Sequence, residues 1–137
     1  MKKRRKKRTE TADVVADGGS QFDTDVGAYI LAGRLWIEGR SGTYLGEGRV
    51  QLLEQLADKG SISQAAVALG MSYRNAWRMV HAMNEQSRRP LVILNVGGSG
   101  GGGAQITDNG RIAIMKYRQL QRRFTTFLEE NSLEMDL

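Results

Sequence analysis

Residues 60–87 read Gly60-Ser-Ile-Ser-Gln-Ala-Ala-Val-Ala-Leu-Gly-Met-Ser-Tyr-Arg-Asn-Ala-Trp-Arg-Met-Val-His-Ala-Met-Asn-Glu-Gln-Ser87. Ser61-Ile-Ser-Gln64 has the Ser-x-x-Gln form of a capping box, in which the hydroxyl accepts a backbone N–H and the Gln side chain returns a bond. A helix is predicted from there through Ala65, Ala66 and Ala68 to Leu69, closed by Gly70 after about two turns. Met71 fills the turn. Ser72 is a suitable N-cap for a second helix, which continues to about Ser87 before Pro90 forbids more.

At about 100° per residue, Ala76, Val80 and Met83 share one stripe of that second helix, with Tyr73 and Trp77 at its edge. The stripe faces a core. Arg74, Arg78 and His81 fall on the opposite side, flanked by Asn75. Ala65 and Ala66 keep the preceding helix thin enough for a close crossing. Two short helices, a glycine turn, small residues at the crossing and arginines facing outward spell a helix-turn-helix reader of duplex DNA.

Outward from this pair, Tyr29 to Glu38 is rich in β-branched and aromatic residues and ends at Gly39-Arg-Ser-Gly42, a turn signal. Thr43, Tyr44 and Leu45 then return, giving a small hairpin. Glu47 to Lys59 sets Val50, Leu53, Leu56 and Ala57 at helical spacing, with Leu52 alongside, and Gly60 stops that helix. Beyond Pro90, residues 91–96 read as a strand, 97–103 as a flexible glycine tip and 104–107 as a returning strand. Strand, loop and strand directly after a reading helix describe a wing. Thr107 caps a last helix, Asp108 to about Glu130, with Ile112, Met115, Leu120, Phe124, Phe127 and Leu128 on an apolar face. Its six turns exceed what one small domain covers, so a second subunit is the natural place to bury the excess.

The 137 residues allow one domain of modest core with tails. Charge is segregated: residues 2–8 are seven cations in succession, residues 10–25 hold five acids and no base, and the last nine residues carry four acids. Between Val26 and Leu128 there are thirteen Lys and Arg against six acids. The basicity therefore belongs to the folded part as well as to the tail, and it favours a polyanionic partner through counterion release. The expected organisation is a disordered basic-then-acidic tail over 1–25, a DNA-binding domain over 26–130 and an acidic tail over 131–137. The seven-cation run serves as a non-specific DNA arm or as a solubilising tail, and the sequence leaves both open. No apolar run reaches the roughly 20 residues needed to span a bilayer, and no secretory core precedes the domain. A cytoplasmic, nucleoid-associated protein is expected. The chain has no Cys, which removes disulfides and thiolate zinc sites. Its single histidine has no carboxylate cluster around it in sequence. Neither catalysis nor a metal site is expected, and the glycine tip lacks the Lys-Ser/Thr ending of a phosphate loop.

Gly60-Ser-Ile-Ser-Gln-Ala-Ala, Gly70-Met-Ser-Tyr-Arg-Asn-Ala-Trp, Met83-Asn84, Pro90-Leu-Val and the glycine tip at 97–104 together resemble the N-terminal DNA-binding domain of ModE, the molybdate-responsive regulators. More distantly, Ser61 to Thr107 is similar to the winged helix-turn-helix of LysR-type regulators. The resemblance covers about Tyr29 to Leu128. It implies a dimer built partly through the first and last helices, with Ser72, Tyr73, Arg74 and the glycine wing on the DNA-facing surface. Full-length ModE proteins continue into small β-barrel domains that bind molybdate, beyond where this sequence stops. A stand-alone DNA reader without a cofactor of its own is therefore expected, molybdate entering only through the resemblance. ModE wings often carry Lys where this chain has Ser99, and an acidic-basic pair where it has Ile93 and Leu94.

The fold class expected is α+β, mainly α: a winged helix-turn-helix with an N-terminal β-hairpin, a β wing and a long C-terminal helix. Its partners are double-stranded DNA and a second copy of the chain, not a membrane. The DNA-binding candidates are Ser61, Ser63 and Gln64 at the start of one helix, and Ser72, Tyr73, Arg74, Asn75 and Arg78 in the first turns of the next. Arg88, Arg89, Gly100 and Gly101 complete the set at the wing. Arg74 and Arg78 are the candidates for base reading, since an arginine fork matches guanine O6 and N7. Phosphate contact is the competing role for each. Trp77 is expected to be a partly buried anchor at the edge of the stripe, and Tyr73 serves either packing or contact. The alternative function is a protein- or oxyanion-binding module built on the same helices.

Overall fold

The structure is a computed structural model that describes residues 29–95 and 103–132. The expected tails lie outside these, apart from residues 131 and 132. Four helices and two antiparallel hairpins follow one another: β1 (Ile37–Gly39), β2 (Gly42–Leu45), α1 (Glu47–Lys59), α2 (Ile62–Leu69), α3 (Tyr73–Gln86), β3 (Val92–Asn95), β4 (Gly103–Ile106) and α4 (Asp108–Ser132). The mainly α winged helix expected from the sequence is the fold observed. The chain divides into two compact units, one of them Trp36–Leu120 and the other holding residues 29–35 and 121–132 among those described.

In the first unit the helix boundaries follow from local chemistry. Gly60 and Gly70 close α1 and α2 in the left-handed region, at φ 78° and 68°, where only glycine is unstrained. Ser61 Oγ accepts the Gln64 amide at 3.1 Å and Ser72 Oγ accepts the Asn75 amide at 3.1 Å, so each hydroxyl satisfies a first-turn donor. Thr107 does the same for Gly110 at 2.9 Å. Of the capping box at Ser61 only the hydroxyl half is formed among the described residues.

Val50, Leu52, Leu53 and Leu56 bury one face of α1, and Ala65 and Ala66 are buried where α2 crosses. Ala76, Val80 and Met83 of α3 are fully buried on the stripe expected for them. Each large side chain so buried stabilises by roughly 1.5–3 kcal/mol against exposure. Ala57, expected on the α1 stripe, is exposed in the last turn of the helix.

Two further expectations are corrected. The first strand does not extend from Tyr29. It is confined to Ile37–Gly39, since the partner available to it, β2, is four residues long before α1 begins. A strand exists only where a ladder partner runs beside it. The irregular pairing between Ile37 and Glu38 shortens it further. Secondly, of the apolar face read on α4, Leu128 is buried and Phe124 half-buried, but Ile112, Met115, Leu120 and Phe127 are exposed within the chain, and Tyr117, not counted in that face, is buried. Gly110 fixes this rotation, because a Cβ there would lie 2.4 Å from the Leu91 carbonyl oxygen. With Gly110 pressed on that carbonyl, Tyr117, seven residues on, returns to the same face. Ile112 and Met115 turn outward. Trp77, expected as a partly buried anchor, is 42 % exposed.

The second unit is small. The Leu31 amide donates to Ser132 Oγ at 2.6 Å, and Gly33 allows close approach to Phe124 and Leu128, a Cβ there meeting Phe124 Cζ at 3.0 Å.

Candidate nucleic-acid interface

The site begins with how α3 is held. On one side Gln86 Nε2 donates to the Thr43 carbonyl at 3.1 Å, and Gln86 Oε1 accepts the Ser41 amide at 3.0 Å. Ser87 Oγ gives its proton to the Met83 carbonyl at 2.8 Å, so the 2.8 Å contact with Tyr44 is a bond donated by the phenol. On the other side Asn84 Oδ1 accepts the amides of Leu91 and Val92 at 2.9 and 3.2 Å while its Nδ2 donates to the Val92 carbonyl at 2.9 Å. The C-terminal end of α3 is thus fastened both to the first hairpin and to the base of the wing. Its N-terminal turns bury Ala76 and make no such side-chain bonds to other elements among the described residues.

On those turns Tyr73, Arg74, Asn75 and Arg78 are all exposed, and Ser72 lies exposed just before them. Arg74 and Arg78 form no ion pair with any described carboxylate. Two guanidiniums one turn apart, opposite a buried stripe, present ten N–H donors to whatever lies outside. At the start of α2, Ser63 and Gln64 are exposed and Ser61 half-buried, so the helix N-terminus adds amides and a favourable dipole for an anion. Arg88 and Arg89 are exposed between α3 and β3. Asn109 Nδ2 donates to the Arg89 carbonyl at 3.0 Å and fixes that loop against the start of α4. Of the expected set, the residues at the start of α2 and on the first turns of α3 are exposed apart from half-buried Ser61, Arg88 and Arg89 are exposed past the other end of α3, and Gly100 and Gly101 lie outside the described residues.

The wing springs from the same framework. Val92–Asn95 pairs with Gly103–Ile106 in regular antiparallel register. The Ala104 amide donates at 2.9 Å to the carbonyl of Gly60, the residue that ends α1. The Thr107 hydroxyl spans the carbonyls of Pro90 and Leu91 at 2.8 and 3.1 Å.

Electrostatics sorts the remaining cations. Arg118 of α4 forks onto Glu54 at 2.7 and 2.9 Å and reaches Glu47 at 2.8 Å, tying α4 to α1. The Glu54 contact, with Glu47 behind it, raises the guanidinium pKa above its ordinary value against an opposing burial cost. Arg49 donates to the Thr43 carbonyl, and burial lowers its pKa. These two arginines are structural. Arg74, Arg78, Arg88 and Arg89 are not occupied in that way. Among the described residues no three His, Asp or Glu side chains converge as a metal would need, and no helix is long and apolar enough to cross a membrane.

Residues 48–111 match the model of bacterial regulatory helix-turn-helix proteins of the LysR family. The chain carries a LysR-type helix-turn-helix domain. Over a larger span it is homologous to ModE proteins. It is 37 % identical over 99 residues to the molybdenum transport protein ModE of Azotobacter vinelandii, a match covering 72 % of this chain and 37 % of the relative. To the transcriptional regulator ModE of Yersinia pestis it is 42 % identical over 92 residues, covering 64 % of this chain and 35 % of that protein. The DNA-binding transcriptional dual regulator ModE of Escherichia coli (strain K12) is 38 % identical over 92 residues, with the same coverages. The chain thus spans little more than a third of the length of these curated relatives.

Sequence reasoning missed Asn84, Gln86 and Arg118 as the residues that hold α3 and its frame. Asn84 carries no local signature, since its partners are backbone groups of the next strand. Arg118 and its carboxylates are 64 and 71 residues apart.

Proposed function

We propose that this chain is a sequence-specific DNA-binding transcriptional regulator that works as a homodimer, with α3 in the major groove. The observation that carries the reading is the pair of unoccupied guanidiniums, Arg74 and Arg78, on the outward face of a helix whose other face is buried and whose C-terminal end is fastened. In this reading Arg74 and Arg78 meet base edges, each fork contributing roughly 1–3 kcal/mol of discrimination. Arg88, Arg89 and the α2 N-terminus with Ser61, Ser63 and Gln64 hold phosphates. The ModE relatives named as transcriptional regulators support it. Ile112 and Met115, exposed on α4, supply an apolar surface for a second copy, and two-fold symmetry then calls for a palindromic site. The protein acts where DNA is, in the cytoplasm and nucleoid. It performs no catalysis, and no cofactor of its own enters the reading.

Anisotropy of labelled duplex DNA, titrated with the full chain over a salt series, tests it. The expected result is a log–log slope of about −0.9 per neutralised phosphate. Site selection from random duplexes should return a palindrome whose preference relaxes at separate positions in Arg74→Ala and Arg78→Ala. An unchanged preference in both variants refutes the assignment of base reading. Weak binding without a salt slope refutes DNA as the partner, and leaves a protein- or oxyanion-binding module.

A further inference from the structure

Helix α3 carries an aromatic edge that the arginines do not account for. Trp77 is 42 % exposed and Tyr73 54 %, one turn apart and bordering the face that bears Arg74 and Arg78. A tryptophan so placed leaves a large apolar surface in water, against the usual preference of the residue. Its indole is also braced. The ring stacks on His81, one turn further along, with centroids 3.7 Å apart and planes inclined by 28°. Nε2 of His81 is shielded from solvent without a hydrogen-bond partner, the one such buried side-chain atom among the described residues. Leaving an imidazole nitrogen in that state destabilises the fold. The pair is therefore an arrangement that stability alone does not favour, on the helix that faces the ligand.

We infer that Trp77, braced by His81, is a specificity-determining residue that reads the C5 methyl group of thymine in the major groove, next to the bases met by Arg74 and Arg78. The inference rests on the DNA reading proposed above and assigns to it a chemistry that arginine cannot supply. Among the four bases the thymine methyl is the apolar feature displayed in the major groove, and it distinguishes T·A from A·T at its position. A guanidinium fork satisfied by guanine is silent about that neighbour. Around the helix Trp77 stands about 60° from Arg74, and along it about 4.5 Å further on. That displacement is between one and two base-pair steps of about 3.4 Å. The stack on His81 fixes the indole before binding, so little rotamer freedom remains to be lost on contact.

The test uses the full chain and a duplex site obtained by selection from random DNA. Each thymine of the half-site is replaced singly by uracil, which keeps every hydrogen-bonding group of the base pair and removes only the methyl. At one or two thymines beside the arginine-read positions, binding should weaken about fourfold, which converts to ~0.8 kcal/mol for one methyl-sized group. In Trp77→Ala the same replacements should have no effect, so the loss is coupled to that side chain. His81→Ala, which keeps the indole and removes its brace, should shrink the uracil effect, and it serves where Trp77→Ala does not fold. A selected site indifferent to uracil at every position overturns the inference and leaves the DNA reading intact. A uracil effect undiminished in the folded variants also overturns it. Failure of the chain to bind any duplex overturns both.

Discussion

Asn84→Ala is expected to loosen the wing from the reading helix, at a cost that can be worked from three bonds. The Asn84 amide group accepts from Leu91 and Val92 and donates to Val92, at 2.9, 3.2 and 2.9 Å. Leu91 and Val92 are 0 % and 1 % exposed, so water does not readily replace the lost partner. At a net 0.5–1.5 kcal/mol for each bond, taken at the middle of that range, the loss of three is about 3 kcal/mol. In a unit of this size each kcal/mol corresponds to roughly 4–8 °C in Tm, so melting should fall by about 12–24 °C. Circular dichroism melts and urea titration with an unchanged m-value measure it. Asn84→Asp keeps the two acceptor contacts and loses the donor, and should fall between the wild type and Ala. DNA affinity should drop beyond what the unfolded fraction explains, with base preference kept. A stability change below about 0.5 kcal/mol in Asn84→Ala would refute the reasoning, since the three contacts would then be worth no more than a single surface bond.

Other perturbations separate space from conformation and frame from reader. Gly110→Ala should destabilise by about 2–4 kcal/mol, because the new Cβ meets a backbone oxygen that cannot give way. Gly60→Ala and Gly70→Ala meet nothing within 4 Å and should cost about 1–2 kcal/mol each through left-handed strain alone, read from the same melts. Arg118→Met should cost no more than about 1 kcal/mol, since its carboxylate partners are 38 % and 45 % exposed and solvent screens the pair, and the difference should shrink in high salt. Ser72→Ala removes one N-cap bond, and a loss of about 1 kcal/mol is expected from urea titration.

Features that depend on a few consecutive residues were legible in the sequence. Ser61, Ser72 and Thr107 cap because a hydroxyl three residues ahead of an amide reaches it whatever surrounds the helix. Gly60 and Gly70 end helices for an equally local reason. The recognition-helix stripe was legible because Ala76, Val80 and Met83 agree with one period. What depended on distant partners was not. The length of β1 is set by β2 and by the onset of α1. The rotation of α4 is set by one glycine against the Leu91 carbonyl, so its apolar period alone does not tell that Tyr117 faces inward while Ile112 and Met115 face outward. The place of Trp77 at the edge of the stripe told of partial burial, but not of the ring that braces it, since the helical period puts His81 opposite the core while the structure half-buries it.

The hydrogen bond between the Gly60 carbonyl and the Ala104 amide has a consequence for mutational scanning. Both partners are main-chain groups, and the Gly60 amide is itself engaged with the Leu56 carbonyl at 2.9 Å. Alanine scanning leaves these main-chain groups in place, so the loss expected for Gly60→Ala reports left-handed strain and not this attachment. Proline at 104 removes the donor, and since that amide points away from β3 it does so without breaking the ladder. A scan that lacks proline is blind to the joint between the wing and the end of α1.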